Sequence, residues 1–132
     1  MNAISVLVNG AQGRMGQEAV KAITEESGLE LVAQTDLGDD LPAVLRNSGV
    51  QVAVDFTTAT VAYDNARTLI ECGVRPVIGT SGLLPGQVAE LQALCQAKQI
   101  GGVIAPNFAI GAVLMMKYAV DAVKYLPHVE VI

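Results

Sequence analysis

The sequence predicts an α/β fold, a doubly wound, mostly parallel sheet with helices on both faces. Three observations carry this. Short runs rich in Val and Ile alternate with longer segments of helical period, and each junction carries Gly, Pro, Asp or Asn. The first junction, "NGAQGRMG", places three glycines at three-residue spacing where a strand gives way to a helix. Length fits one domain, since 132 residues can bury a proper core but not two.

The elements follow in order. "ISVLVN" (4–9) is strand one, and Met15, Ala19, Val20 and Ile23 mark one face of a helix ending near Gly28. "LELVAQT" (29–35) is strand two. A loop with Gly38, Asp39 and Asp40 leads to a short helix over 42–47, and "VQVAVDF" (50–56) is strand three. Thr60 is the expected N-cap of a helix running to Cys72, with Ala62, Ala66, Leu69 and Ile70 as its buried face and Gly73 as its stop. "RPVIGT" (75–80) is strand four. Val88, Leu91, Leu94 and Cys95 share a helical face within 84–99, "GGVIA" (101–105) is strand five, and a last helix covers about 110–125. "HVEVI" (128–132) alternates like the start of a sixth strand. A chain stopping there is expected to be one domain, residues 1–132, of a longer protein.

Composition narrows the function classes. The chain is 52% hydrophobic and 16% charged, with a mean hydropathy of +0.44, so its strands are expected to be buried on both faces and disorder is excluded. The apolar run "FAIGAVLMM" stops at Lys117, too short to span a membrane, and no basic leader precedes the first strand, which points to the cytoplasm. Eight scattered Lys and Arg against thirteen acids, net −5, offer no basic stripe for nucleic acid. Cys72 and Cys95 lack metal-ligand spacing and read as buried reduced thiols, while Met115 and Met116 read as core. The lone histidine, His128, has no Ser or Cys partner, so neither a hydrolytic triad nor a metal site is indicated.

In such sheets ligands bind beyond the carboxyl ends of the strands. The loop Gly10-Ala11-Gln12-Gly13-Arg14-Met15-Gly16 varies the G-x-G-x-x-G dinucleotide fingerprint, with glycine allowing close backbone approach and a helix N-terminus favouring a pyrophosphate. A tight turn without a ligand is the plain alternative. Asp36 ends strand two, 20 residues after Gly16, where an acid can accept from both hydroxyls of a ribose. Arg14 either pairs with a 2'-phosphate or faces solvent. "DFTT" (55–58), "GTSG" (79–82) and "APNFAIG" (105–111) end the next three strands. There Thr80, Ser81 and Asn107 can bond a ribose or carboxamide, and Phe56 or Phe108 can cover a ring; ordinary turn chemistry explains each segment equally well.

Taken in order, "GAQGRMG", "VDFTT", "GTSGL" and "IAPNFAIGAVLMMK" resemble the 4-hydroxy-tetrahydrodipicolinate (dihydrodipicolinate) reductase family of lysine and diaminopimelate biosynthesis, over the whole chain. The resemblance implies an oxidoreductase whose N-terminal domain binds NADH or NADPH. Gly10, Ala11, Gln12, Gly13, Arg14 and Met15 would hold the pyrophosphate and Asp36 the adenosine ribose. Phe56 and Thr57, in "VDFTT", are expected in the same cofactor cleft, Gly79, Thr80 and Ser81 match a segment near the nicotinamide, and Ala105, Pro106, Asn107 and Phe108 match the family's A-P-N-F. Leu37 stands where some members carry an arginine, so dual use of NADH and NADPH is expected. The family's proton-donating E-x-H-H and substrate-gripping D-A-P-S-G-T segments do not occur here, and His128 is not the catalytic histidine. Catalysis on a small dicarboxylate, and the family's tetramer, are expected to need the missing domain. A stand-alone nucleotide sensor, or the cofactor domain of another NAD(P)-dependent reductase, remain as alternatives.

Overall fold

The computed structural model describes residues 2–105 and 107–126. Strands and helices alternate: β1 (Ile4–Asn9), α1 (Arg14–Glu25), β2 (Leu29–Thr35), α2 (Leu41–Ser48), β3 (Val52–Asp55), α3 (Ala62–Glu71), β4 (Arg75–Ile78), α4 (Pro85–Lys98), β5 (Val103–Ile104) and α5 (Ile110–Val123). All pairings are parallel and the sheet order is β2-β1-β3-β4-β5. The order reverses between β1 and β3, so the crevice at their carboxyl ends is the topological switch point.

The two-residue period of β1 divides the core. Leu7 and Ala53 pack with Leu41, Leu45 and Leu69 beneath α2 and α3. Val6 and Val8 pack with Ala11 and Ile23 beneath α1 on the opposite face. Ala66, Ile70, Ile78 and Leu91 join α3 and α4 to β4. Each fully buried Leu or Ile stabilises the fold by about 1.5–3 kcal/mol, and Leu7, Leu69 and Ile70 have no exposed surface.

Local chemistry explains most of the boundaries. Asp40 caps α2 by accepting the Ala43 N–H at 3.0 Å, Pro42 fits its first turn, and Gly49 ends it in a left-handed conformation. The first turn of α3 is closed differently from expectation. Val61 is the N-cap, the Thr58 carbonyl accepts the N–H groups of Val61 and Ala62, and the Thr60 hydroxyl meets that of Thr58 at 2.8 Å. Thr60 therefore caps nothing, because Thr58 already supplies the acceptor.

The third, fourth and fifth strands are shorter than the sequence suggests: β3 starts at Val52 rather than 50 and ends at Asp55 rather than 56, β4 ends at Ile78 before the Gly79-Thr80 turn, and β5 keeps only Val103 and Ile104. The larger differences lie at the β5 end. Val103 and Ile104 are exposed, so the sheet is not buried on both faces throughout. Helix α5 buries none of its residues, and Met115 and Met116 are 70% and 56% exposed rather than core. Apolar identity states a preference for burial but does not supply a neighbour. Likewise Met15 is half exposed, and Cys72 is exposed while Cys95 is partly buried. The sixth strand and His128 lie outside the described residues. No described helix is long and apolar enough to cross a membrane.

Candidate dinucleotide site

The glycine loop is held by its own backbone. Gly10 has φ +81°, and a Cβ there would come within 2.6 Å of the Phe56 carbonyl oxygen. The N–H groups of Gly10 and Ala11 both donate to the Thr35 carbonyl, at 2.8 and 3.2 Å, and that of Gly13 donates to the Gly10 carbonyl at 3.2 Å. A Cβ on Gly16 would fall 1.9 Å from the Gly10 oxygen, so glycine is what lets α1 lie against the loop. Gly13 differs: its φ is −69°, and a Cβ would meet nothing closer than 3.4 Å. The fold itself does not require glycine there.

The first bond inside α1 runs from the Gln17 N–H to the Gly13 carbonyl at 2.9 Å. Among the described hydrogen bonds, none uses the N–H of Arg14, Met15 or Gly16. These donors sit at a helix N-terminus where the backbone dipole favours an anion. The expected pyrophosphate loop thus separates into two parts. Gly10, Ala11, Gln12 and Gly13 shape it with their N–H groups already engaged, and the free donors begin at Arg14.

Asp36 performs a task the sequence did not suggest. Its Oδ2 accepts the Gln12 N–H at 2.7 Å and its Oδ1 accepts the Leu37 N–H at 2.8 Å, bracing the glycine loop against the end of β2. Those two backbone donors, Gln12 first, hold its carboxyl below the ordinary carboxylate range. Ala11, Gln12, Gln34, Thr35, Asp36 and Asp39 line a cleft of about 80 Å³ at this point. Arg14 and Leu37 are exposed beside the loop and the acid.

The other strand ends converge on Asp55, which is fully buried. The register pairs Asn9 with Thr35 on one side and with Asp55 on the other. Asn9 donates to Asp55 at 2.8 Å and accepts from the Thr35 hydroxyl at 2.8 Å. Thr57 and Thr80 donate their hydroxyls to Asp55 as well, and no buried side-chain polar atom among the described residues lacks a partner. Above this layer the Phe56 and Phe108 rings meet edge to face, centroids 5.1 Å apart. A Cβ on Gly79 would strike both rings, at 2.2 and 2.9 Å.

Gly79 and Thr80 are thus tied into the strand-end layer. Ser81, Asn107 and Phe108 are exposed beyond it, Ala105 is partly buried, and Pro106 lies outside the described residues. Sequence reasoning missed Asn9, Thr35 and Asn65 as parts of the site, and marked Asp55 only as the first residue of "DFTT" without its role. The available signal was a polar residue, Asn9, Thr35 or Asp55, ending each of the first three strands; nothing comparable marks Asn65 on α3. Among the described residues no His, Cys, Asp and Glu side chains cluster as a metal would require. A separate groove of about 480 Å³ lies between α4 and the β4–β5 edge, lined by Ile70, Leu91, Cys95 and Val103 among others. Burial there pushes the Cys95 thiol up, away from the thiolate form.

Comparison with known proteins gives a consistent answer. Residues 4–108 match the family model described as dihydrodipicolinate reductase, N-terminus. The chain is 47% identical over 130 residues to 4-hydroxy-tetrahydrodipicolinate reductase of Coxiella burnetii (strain Dugway 5J108-111), covering 98% of this chain and 54% of that protein. It is 46% identical over 140 residues to the Streptococcus gordonii enzyme of the same name, covering 98% of this chain and 55% of that one. The chain therefore spans about half the length of these relatives. Among solved structures, dipicolinate-bound dihydrodipicolinate reductase from Paenisporosarcina sp. TG-14 superposes with a TM-score of 0.82 at 32% identity, over 93% of this chain and 54% of that one. GenD2 from gentamicin A biosynthesis, in complex with NAD, shares the fold with a TM-score of 0.74 at 19% identity, over 82% of this chain and 36% of that one.

Proposed function

The chain belongs to the dihydrodipicolinate reductase family, and from that premise we propose that residues 1–132 form its nicotinamide-dinucleotide domain. The observation that carries this is the set of uncommitted N–H groups of Arg14, Met15 and Gly16 at the start of α1, reached past a Gly13 that leaves room for a ligand. They suit a pyrophosphate. Asp36 keeps lone pairs for the adenosine ribose while it braces the loop, and Phe56, Thr57, Gly79, Thr80, Ser81, Ala105, Pro106, Asn107 and Phe108 serve the nicotinamide half. Either NADH or NADPH is accommodated, because Asp36 suits a free diol and the exposed Arg14 can neutralise a 2'-phosphate.

When bound, the reduced nicotinamide supplies a hydride. In the whole protein that hydride reduces 4-hydroxy-tetrahydrodipicolinate to tetrahydrodipicolinate, with water lost, in the cytoplasm and within a tetramer. The role of residues 1–132 is to bind and orient the dinucleotide; proton donation and substrate grip belong to segments this chain does not contain. Calorimetric titration with NADH and NADPH tests the proposal. Saturable binding of both is expected, and a folded sample that binds neither overturns it. Asp36→Ala is expected to weaken both, NADH more than NADPH; equal losses would leave Asp36 as a loop brace only.

A further inference from the structure

Asp55 receives five donated hydrogen bonds. The side-chain amides of Asn9 and Asn65 reach Oδ2 at 2.8 and 3.1 Å, while Oδ1 takes the Thr57 N–H at 3.1 Å, the Thr57 hydroxyl at 2.7 Å and the Thr80 hydroxyl at 2.9 Å. Neither of the ion pairs among the described residues involves it. A hydroxyl has one proton to give. That of Thr80 points to Asp55 Oδ1, and the other acceptor in its reach is the Asp55 carbonyl, at 3.3 Å. That of Thr57 is also committed, and its oxygen already accepts from Asn65 at 3.2 Å. Whatever capacity these two hydroxyls retain is lone-pair capacity.

We infer that Asp55 is a positioning residue that sets the hydrogen-bonding polarity of the cleft at the β3 and β4 ends. By drawing both threonine protons inward, it makes this end receptive to a ligand group that donates, a carboxamide NH2 or a ribose hydroxyl. A phosphate or carboxylate oxygen receives no proton from either of these two hydroxyls, and the carboxylate beneath disfavours an anion against them. The α1 N-terminus has the opposite character, presenting N–H donors from Arg14, Met15 and Gly16. The cleft is therefore directional: an extended molecule with an anionic centre and a donor-bearing end fits it one way round. This role presupposes that the chain binds a nicotinamide dinucleotide, as proposed above.

The test is a set of titrations of the wild type, Asp55→Asn and Thr80→Val with three reduced dinucleotides. These are NADH, its 3-acetylpyridine analogue, in which a methyl replaces the carboxamide NH2, and an analogue lacking the hydroxyls of the nicotinamide ribose. The wild type is expected to lose about tenfold in affinity for at least one analogue, and which one identifies the donor. In Asp55→Asn the new amide cannot accept from all five donors, so the threonine protons are released and the discrimination falls to about threefold or less. Thr80→Val removes the hydroxyl at nearly constant volume, is expected to give the same loss, and decides the matter if Asp55→Asn does not fold. Variants that keep the wild-type discrimination, or that weaken all three ligands equally, overturn the inference while leaving dinucleotide binding intact. A wild type that binds no dinucleotide overturns the cofactor assignment and this role with it.

Discussion

The strand ends around Asp55 and the β5–α5 end of the chain are built by opposite means. Around Asp55 the side chains are polar yet buried, every buried side-chain polar atom among the described residues is partnered, and the glycines at 10, 16 and 79 are demanded by atoms a Cβ would strike. At β5 and α5 the side chains are apolar yet exposed, from Val103 and Ile104 through Met115 to Tyr118. Position relative to neighbours, rather than polarity, decides burial in both places. The first region closes on itself. The second finds no such packing among the described residues, and a helix takes most of its stability from packing.

This contrast can be broken or sharpened by substitution. The largest effect is expected from Gly16→Ala, whose Cβ would lie 1.9 Å from the Gly10 oxygen; denaturant melts should show a loss of about 3 kcal/mol or more. Leu69→Ala, in the closed part of the core with no exposed surface, should cost about 2–5 kcal/mol. Met115→Ala on α5 should change stability by no more than about 0.5 kcal/mol, and a larger cost would mean that α5 has found partners. Gly13→Ala should leave the melt nearly unchanged, since a Cβ there meets no protein atom closer than 3.4 Å, while weakening NADH binding by about tenfold, about 1.4 kcal/mol, if the proposed pyrophosphate site is correct.

The smallest effect is electrostatic. The folded-state pKa of Asp36 is lowered, so its brace is fully in place above the ordinary carboxylate value of about 3.9 and is lost as pH falls through the lower folded value. The stability difference between the wild type and Asp36→Asn should therefore narrow as pH falls below about 4. A difference that widens on acidification would contradict the bond from Gln12.

The parts of the fold legible in the sequence were those where local pattern and tertiary surroundings agree. The bounds of β1 and β2, and the buried face Ala62, Ala66, Leu69 and Ile70 of α3, follow from periodicity alone. Helix α5 has no such contrast. "IGAVLMM" is apolar on every side, so its period selects no face, and Met115 and Met116 were placed in a core that the described residues do not form around them. The site was legible as a set of loops but not as a network. The glycine spacing and the distance to Asp36 could be counted. That Asn9 and Asp55 face each other is a matter of strand register between residues 46 positions apart, which pairwise spacing does not encode. The same limit hid the bond from Gln12 to Asp36, which divides the loop into a braced half and a receptive half.

Asp55 also guards against mispairing during folding. Side chains alternate across a strand, so sliding β3 by one residue would turn Asp55 to the opposite face, toward the apolar layer of Val6, Val8 and Ile23. The carboxylate would leave Asn9, Asn65 and Thr80 behind and keep only the local Thr57 donors, at a cost of several kcal/mol. The correct alignment is the one in which this acid is solvated by protein. One buried carboxylate thereby serves as a checksum on the sheet, and a chain that assembles the switch-point crevice wrongly is penalised before any ligand arrives.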